Sequence, residues 1–235
     1  IREFISTKND IFSEKFEELI KITIDRYCSL SEKLQKKFIT RIENNKWPPQ
    51  DFKSNFTAFD DHVFPLFSDK KSKVVYFMID ALRYELGVEL KNFLENENLQ
   101  LKINSLFSPL PSITNIGMAS LLPDAQNEIK LSLESNHLNV FYADKNINDA
   151  SNRMNVFKNK FGDQFKQINL DQISSNLKKQ IEKNIKLLVV RSYSMDKLLE
   201  TNDDSALNTI FNTFKKIKYT LNILSEIGFT NAFIV

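Results

Sequence analysis

An α/β fold, built on a mostly parallel sheet flanked by helices, is predicted by three features of the sequence. A continuous β-prone apolar run spans 74–79, Val-Val-Tyr-Phe-Met-Ile. Six further segments have strand length and composition, and helical patterns lie between several of them. A strand apolar at every position is expected where both faces of a sheet are covered, as in parallel sheets.

Residues 1–50 read as a helical hairpin. Phe12, Phe16, Leu19, Ile20, Thr23, Tyr27 and Leu30 recur at helical spacing, and Leu34, Phe38 and Ile42 continue it in steps of four. Ser29 or Ser31 is a cap for the second helix, which must stop before Trp47-Pro48-Pro49. Such a pair suits a scaffold, or an oligomer formed through residues 1–46. An aromatic-rich connector, 51–72, carries Phe52, Phe56, Phe59, Phe64 and Phe67 and is expected to pack. The α/β domain follows over 73–235. Its further strand candidates are 99–106, 128–133, 138–142, 165–170, 185–190 and 231–235, and its helix candidates are 83–96, 115–122, 150–161, 172–183 and 205–227. The strands at 128–133 and 138–142 read as a small hairpin outside the main sheet.

Composition excludes several classes. With 42% hydrophobic and 26% charged residues, the chain has ordinary globular values. Its net charge of +2, from 32 basic and 30 acidic residues, makes no electrostatic case for nucleic acid or membrane. The lone Cys28 permits no internal disulfide and fits a reducing, cytoplasmic setting. Only Gly87, Gly117, Gly162 and Gly228 occur, so the dinucleotide fingerprint, the Walker A loop and the G-x-S-x-G elbow are all missing. No secretory signal opens the chain, and the run at 74–79 is too short to span a bilayer. The chain begins at Ile1 without methionine and stops at Val235 inside an apolar run, and is read as an excerpt of a longer polypeptide.

In open α/β sheets the ligand site lies beyond the carboxyl ends of the strands. Asp80 follows the first strand, the segment 107–113 leads to Thr114, and the strand near 185–190 runs toward Ser194 and Asp196. Each has an ordinary alternative role: Asp80 and Thr114 are both natural helix caps.

The stretch Phe77-Met78-Ile79-Asp80-Ala81-Leu82-Arg83-Tyr84-Glu85 resembles the opening signature of PglZ domains, a branch of the alkaline phosphatase superfamily. Leu110-Pro111-Ser112-Ile113-Thr114-Asn115-Ile116-Gly117-Met118-Ala119-Ser120-Leu121-Leu122-Pro123 resembles the second signature, and Val190-Arg191-Ser192-Tyr193-Ser194-Met195-Asp196 a weaker third. The resemblance covers 73–235 and implies an alkaline-phosphatase-like sheet, incomplete at the C-terminus. It implies Thr114 as nucleophile, Asp80 and Thr114 as donors to one metal, and Asp196 and Glu200 as donors to a second. Arg83 and Asn115 would then face substrate. The implied cofactors are divalent ions, zinc or manganese, in a two-metal site only partly present. A histidine is common where this sequence has Glu200, which weakens the case for zinc. The family's Asp-His pair after the strand at 231–235 is not reached, and His62 and His137 match no motif.

The resemblance implies a metal-dependent phosphatase or phosphodiesterase of a BREX-type phage-defence protein, with a nucleotide or nucleic acid as substrate and the other defence proteins as partners. Two alternatives stand beside it: an inactive scaffold that binds partners, and a signalling phosphodiesterase. The excerpt by itself is expected to be weak or inactive.

Overall fold

Val74–Ile79 form β1, and all six side chains are buried. β1 lies inside a four-stranded parallel sheet of order β5-β6-β1-β7, with β5 Phe165–Asn169, β6 Leu187–Ser192 and β7 Asn231–Ile234. Alternation sends Val74, Tyr76 and Met78 into one core and Val75, Phe77 and Ile79 into the other. The apolar run is therefore a strand covered on both faces, as its composition predicts.

The computed structural model describes residues 13–45, 47–49, 52–68, 72–174, 176–193, 195–196 and 206–235. They fall into two compact units, Ile1–Asp51 and Phe52–Val235. Glu200, Ser194, Lys70 and Lys71 lie outside the described residues.

In the first unit the expected hairpin is replaced by one helix, α1, over Ser13–Glu43. No glycine or proline interrupts the sequence there, and serine costs a helix interior only a few tenths of a kcal/mol, roughly. Ser29 and Ser31 therefore sit within the helix rather than starting a second one. The chain turns after α1, where the Phe38 and Trp47 rings meet edge to face with centroids 5.2 Å apart.

In the second unit the connector is part of the core. Ser54 caps the short helix α2 (Asn55–Ala58), and Phe59 and Val63, in the turns that follow, are fully buried. Phe59 packs edge-on against Tyr76 and Phe157, with centroids 5.3 and 5.5 Å away. After β1 come α3 Tyr84–Leu94, α4 Thr114–Ala119 and α5 Ala125–Glu128. β2 Ile129–Glu134, β3 His137–Tyr142 and β4 Lys145–Asn146 make a separate antiparallel sheet, which confirms the small hairpin and adds a strand. α6 Ala150–Phe161 is capped by Asp149 and closed by Gly162 at φ +56°. The remaining helices are the short α7 Leu177–Gln180 and the long α8 Ala206–Glu226, which covers the second core with Phe214, Ile217 and Leu224.

Three expectations need correction. Residues 99–106 form no strand. Leu101 and Leu106 pack against the cores, and Ile103 lies close to Gly87 of α3, where an added Cβ would sit 3.6 Å from its Cδ1. The alternation is real, but the nearest strand-like pairing, the Ser54–Phe107 bridge, lies one residue past the segment. The helix expected at 172–183 shrinks to α7. Ile173, Leu177, Ile181 and Ile185 all reach the second core, but the Ser-Ser-Asn run at 174–176 favours local turns over helix. β6 begins two residues later than expected, because a turn carries Ile185 N–H to the Glu182 carbonyl at 3.2 Å. No helix among the described residues is long and apolar enough to cross a membrane.

Two outcomes test this packing. Phe77→Ala should cost about 3–5 kcal/mol in urea unfolding. Leu133→Ala, on a side chain 70% exposed, should cost under about 0.5 kcal/mol. Burial also raises the Asp60 carboxyl above its ordinary range, despite the Asp124 N–H it accepts at 2.8 Å. Stability from a raised acid is fully present below the ordinary carboxylate pKa and is lost as pH rises through the raised one. Asp60→Asn keeps the acceptor and removes the charge. It should be the more stable form at neutral pH, with the difference closing on acidification when melting temperatures are compared across pH.

Candidate functional site

Asp80 is the first residue past β1. Its N–H donates to the Ser192 carbonyl at 3.0 Å, which continues the ladder to β6 and fixes the backbone. The chain then turns sharply: Ala81 has φ +60°, a left-handed conformation costly for a residue with a Cβ. This turn brings the Ala81 N–H back onto Asp80 Oδ1 at 3.1 Å. Asp80 does not cap α3. Arg83 holds that position, without a side-chain cap bond.

Thr114 is the first residue of α4, and the cap position belongs to Ile113, which makes no side-chain cap bond. The Thr114 side chain instead lies near enough to the Asp80 carboxylate to hold its pKa down against burial. Helix capping therefore explains neither residue. α4 is held in place from below: Ile116 and Ala119 are fully buried in the first core, and Tyr76 Oη donates to the Leu121 carbonyl at 3.2 Å.

Asp196 follows β6 in sequence, next to the buried Met195. It is near enough for its charge to act on Asp80. Burial raises the Asp80 carboxyl pKa most, and the Asp196 charge raises it further. The Ala81 N–H, the Thr114 hydroxyl and the Arg153 charge oppose the rise. The sequence motifs thus converge at the carboxyl ends of β1 and β6, as parallel-sheet topology predicts.

These residues line a cleft of about 1280 Å³, ample for a nucleotide-sized ligand. Asp80, Arg83, Thr114 and Asp196 all face it. Arg83 is exposed there, whereas Asn115 is half-buried and is not among the lining residues. His62 also lines the cleft and stacks on Phe233 with centroids 6.5 Å apart; His137 is exposed on the small sheet. Among the described residues no cluster of three or more His, Cys, Asp or Glu is poised to hold a metal ion. The donors brought together are two carboxylates and one hydroxyl. This all-oxygen set suits a hard divalent cation, and a cation would offset the charge that Asp196 exerts on Asp80.

Sequence reasoning missed Arg153. It sits on α6, only 4% exposed, and Nη1 donates to the carbonyls of Ile147 at 3.0 Å and Asn148 at 2.6 Å. Tyr193 lies nearby, and its hydroxyl accepts from Arg191 Nη1 at 3.0 Å. Burial lowers its pKa, but a guanidinium stays charged in proteins. Its only sequence signal was a charged residue on the inward face of an amphipathic helix, among Met154, Val156 and Phe157.

A family model described as the BREX system PglZ alkaline phosphatase-like domain matches residues 58–227. An alkaline phosphatase-like protein PglZ from Bacillus cereus (strain H3081.97) is 31% identical over 118 residues, which is 50% of this chain and 13% of that protein. An alkaline phosphatase-like protein BrxZ from Escherichia coli O9:H4 (strain HS) is 29% identical over 141 residues, which is 59% of this chain and 16% of that protein. The chain spans less than a fifth of the length of these curated relatives. With the parallel sheet, the two motif residues on one cleft at its carboxyl end, and a family match over well more than half of its length, the chain belongs to the BREX system PglZ alkaline phosphatase-like family.

Proposed function

We propose that this chain carries the nucleophile and the first donors of a metal-dependent phosphoester hydrolase in a phage-defence PglZ protein. One observation supports this above the rest: Asp80, Thr114 and Asp196 line one cleft at the carboxyl ends of β1 and β6, and neither Asp80 nor Thr114 caps a helix. Asp80 and Thr114 would hold one divalent ion, with Asp196 and Glu200 as donors toward a second. When bound, such ions favour the alkoxide and offset charge on the phosphoryl oxygens.

Thr114 Oγ1 attacks phosphorus in line, the ester oxygen leaves with its electron pair, and water later cleaves the phosphothreonine. Arg83, exposed on the cleft wall, offers a cation to a phosphate. Asn115 is retained as a substrate contact only if the first turn of α4 shifts on binding. The oxygen-only donors favour manganese over zinc. The volume of the cleft supports a nucleotide or a nucleic-acid end as substrate, and the family supports partners within a defence complex.

A second reading, a partner-binding module, draws support from α1. Tyr27, Leu30 and Leu34 there are 71%, 60% and 62% exposed. Apolar side chains exposed at helical spacing suit a docking face.

Assays on the natural protein with bis-p-nitrophenyl phosphate separate the two. Thr114→Ala should lower kcat by at least about a thousandfold while the melting temperature holds. Asp80→Ala should lower both bound manganese and rate. Equal turnover in wild type and Thr114→Ala removes the nucleophile assignment. A wild type inert with manganese, with zinc and with every ester tried leaves the partner-binding reading.

A further inference from the structure

The cleft carries an aromatic pair and an amide that the phosphoryl chemistry does not use. His62 and Phe233 both line it and are half-buried, and their rings lie within 18° of parallel with centroids 6.5 Å apart. His62 sits in a π-helical turn, Phe59–Val63, whose end residues are fully buried, so its backbone is held on both sides. Phe233 stands opposite Tyr76 in the β1–β7 register, four residues before Asp80. At the rise of a β-strand the two levels are about 13 Å apart along the sheet. Alternation puts Asp80 on the face of Tyr76 and Met78, and Phe233 packs into the first core on that same face. The aromatic pair and the strand-end carboxylate therefore share one side of the sheet, separated by a span that suits a nucleotide. Asn55 lies seven residues before His62 along the same run of helical turns. It is half-buried and also lines the cleft, and its side-chain amide makes no hydrogen bond among the described residues.

We propose that Asn55, His62 and Phe233 form a nucleobase subsite. The base of a nucleotide, or of a nucleic-acid strand, stacks on the His62–Phe233 pair, and Asn55 pairs with its edge. The proposal rests on the reading of Thr114 as the phosphate end of the cleft. Stacking on an aromatic face accepts any base. An asparagine amide, with one donor side and one acceptor side, matches the adenine edge best. The subsite therefore takes adenine nucleotides ahead of pyrimidine ones. Tyr84, 57% exposed and next to Arg83, also lines the cleft and is the rival platform.

The experiment compares adenosine monophosphate with ribose 5-phosphate, which lacks only the base, by calorimetric titration with manganese present. It uses the natural protein carrying Thr114→Ala, so that neither ligand is turned over. This parent should bind adenosine monophosphate at least about tenfold more tightly than ribose 5-phosphate. Adding His62→Leu should remove most of that preference and leave the affinity for ribose 5-phosphate unchanged. His62→Phe restores a flat ring and should keep the preference. Asn55→Ala should cut the preference for adenosine over uridine monophosphate several-fold. Tyr84→Ala should change none of these ratios. If His62→Leu does not fold, as judged by its melting temperature, His62→Gln takes its place. A parent that binds neither ligand, or both equally, overturns the subsite. So does a preference that survives His62→Leu or is lost with Tyr84→Ala. The hydrolase reading fails separately: a parent that favours adenosine monophosphate, beside a wild type that hydrolyses no ester, removes that reading and leaves the subsite standing.

Discussion

The structure depends on ending a strand that has no solvent on either face with a charged residue. β1 is apolar at six successive positions because helices and turns cover both sides of the sheet. The first charge after that run, Asp80, is still buried at 9% exposed. The backbone cannot drift there. Asp80 N–H is bonded to Ser192, and Val235 and Ile79 are bonded across the other edge of β1 at 2.9 Å. With both neighbouring strands fixed, the chain leaves the sheet through the left-handed Ala81, and the strain lies next to the carboxylate it orients.

A carboxylate in that position must be compensated. A neutral hydroxyl and one backbone N–H are modest partners, each worth about 1–3 kcal/mol to a charged group. A second carboxylate works against them. The arrangement is therefore costly for a buried carboxylate, and its pKa is raised. Partial compensation comes from the Ala81 N–H first, then from the Thr114 side chain and the Arg153 charge.

Much of this could be read from the sequence, for physical reasons that differ by residue. β1 was legible because a covered parallel strand needs an unbroken apolar run, and α6 was placed at 150–161 because Asp149 and Gly162 mark its ends. Asp80 and Thr114 were legible only as motifs; residue types alone favoured caps, and only the observed caps, Arg83 and Ile113, remove that alternative. The break in α1 was misread because serine marks helix starts more strongly than it interrupts helices. The 99–106 strand was misread because period-two apolarity records which side chains are buried, and says nothing of whether the backbone finds a partner. Arg153 was illegible because its partners are backbone carbonyls, and the tyrosine near it lies 40 residues away in sequence.

The connector shows how far indirect control of the site extends. Nothing in its sequence beyond its aromatic content suggested a role, yet it fixes the path of the chain that carries Thr114. Phe107 N–H donates to the Lys53 carbonyl at 2.9 Å, and its own carbonyl accepts from Asn55 N–H at 3.0 Å. The Phe52 ring packs against the Phe107 ring with centroids 4.9 Å apart. The start of the segment 107–113 is thereby clamped by residues that precede β1, while its end is held by α4 packed on Tyr76. Phe59 completes the clamp, since the same fully buried ring that anchors the connector also touches Tyr76. Thr114 is thus suspended between two attachments to the first core, and a cavity cut at Phe59 would be felt at the hydroxyl without any change to a residue of the cleft.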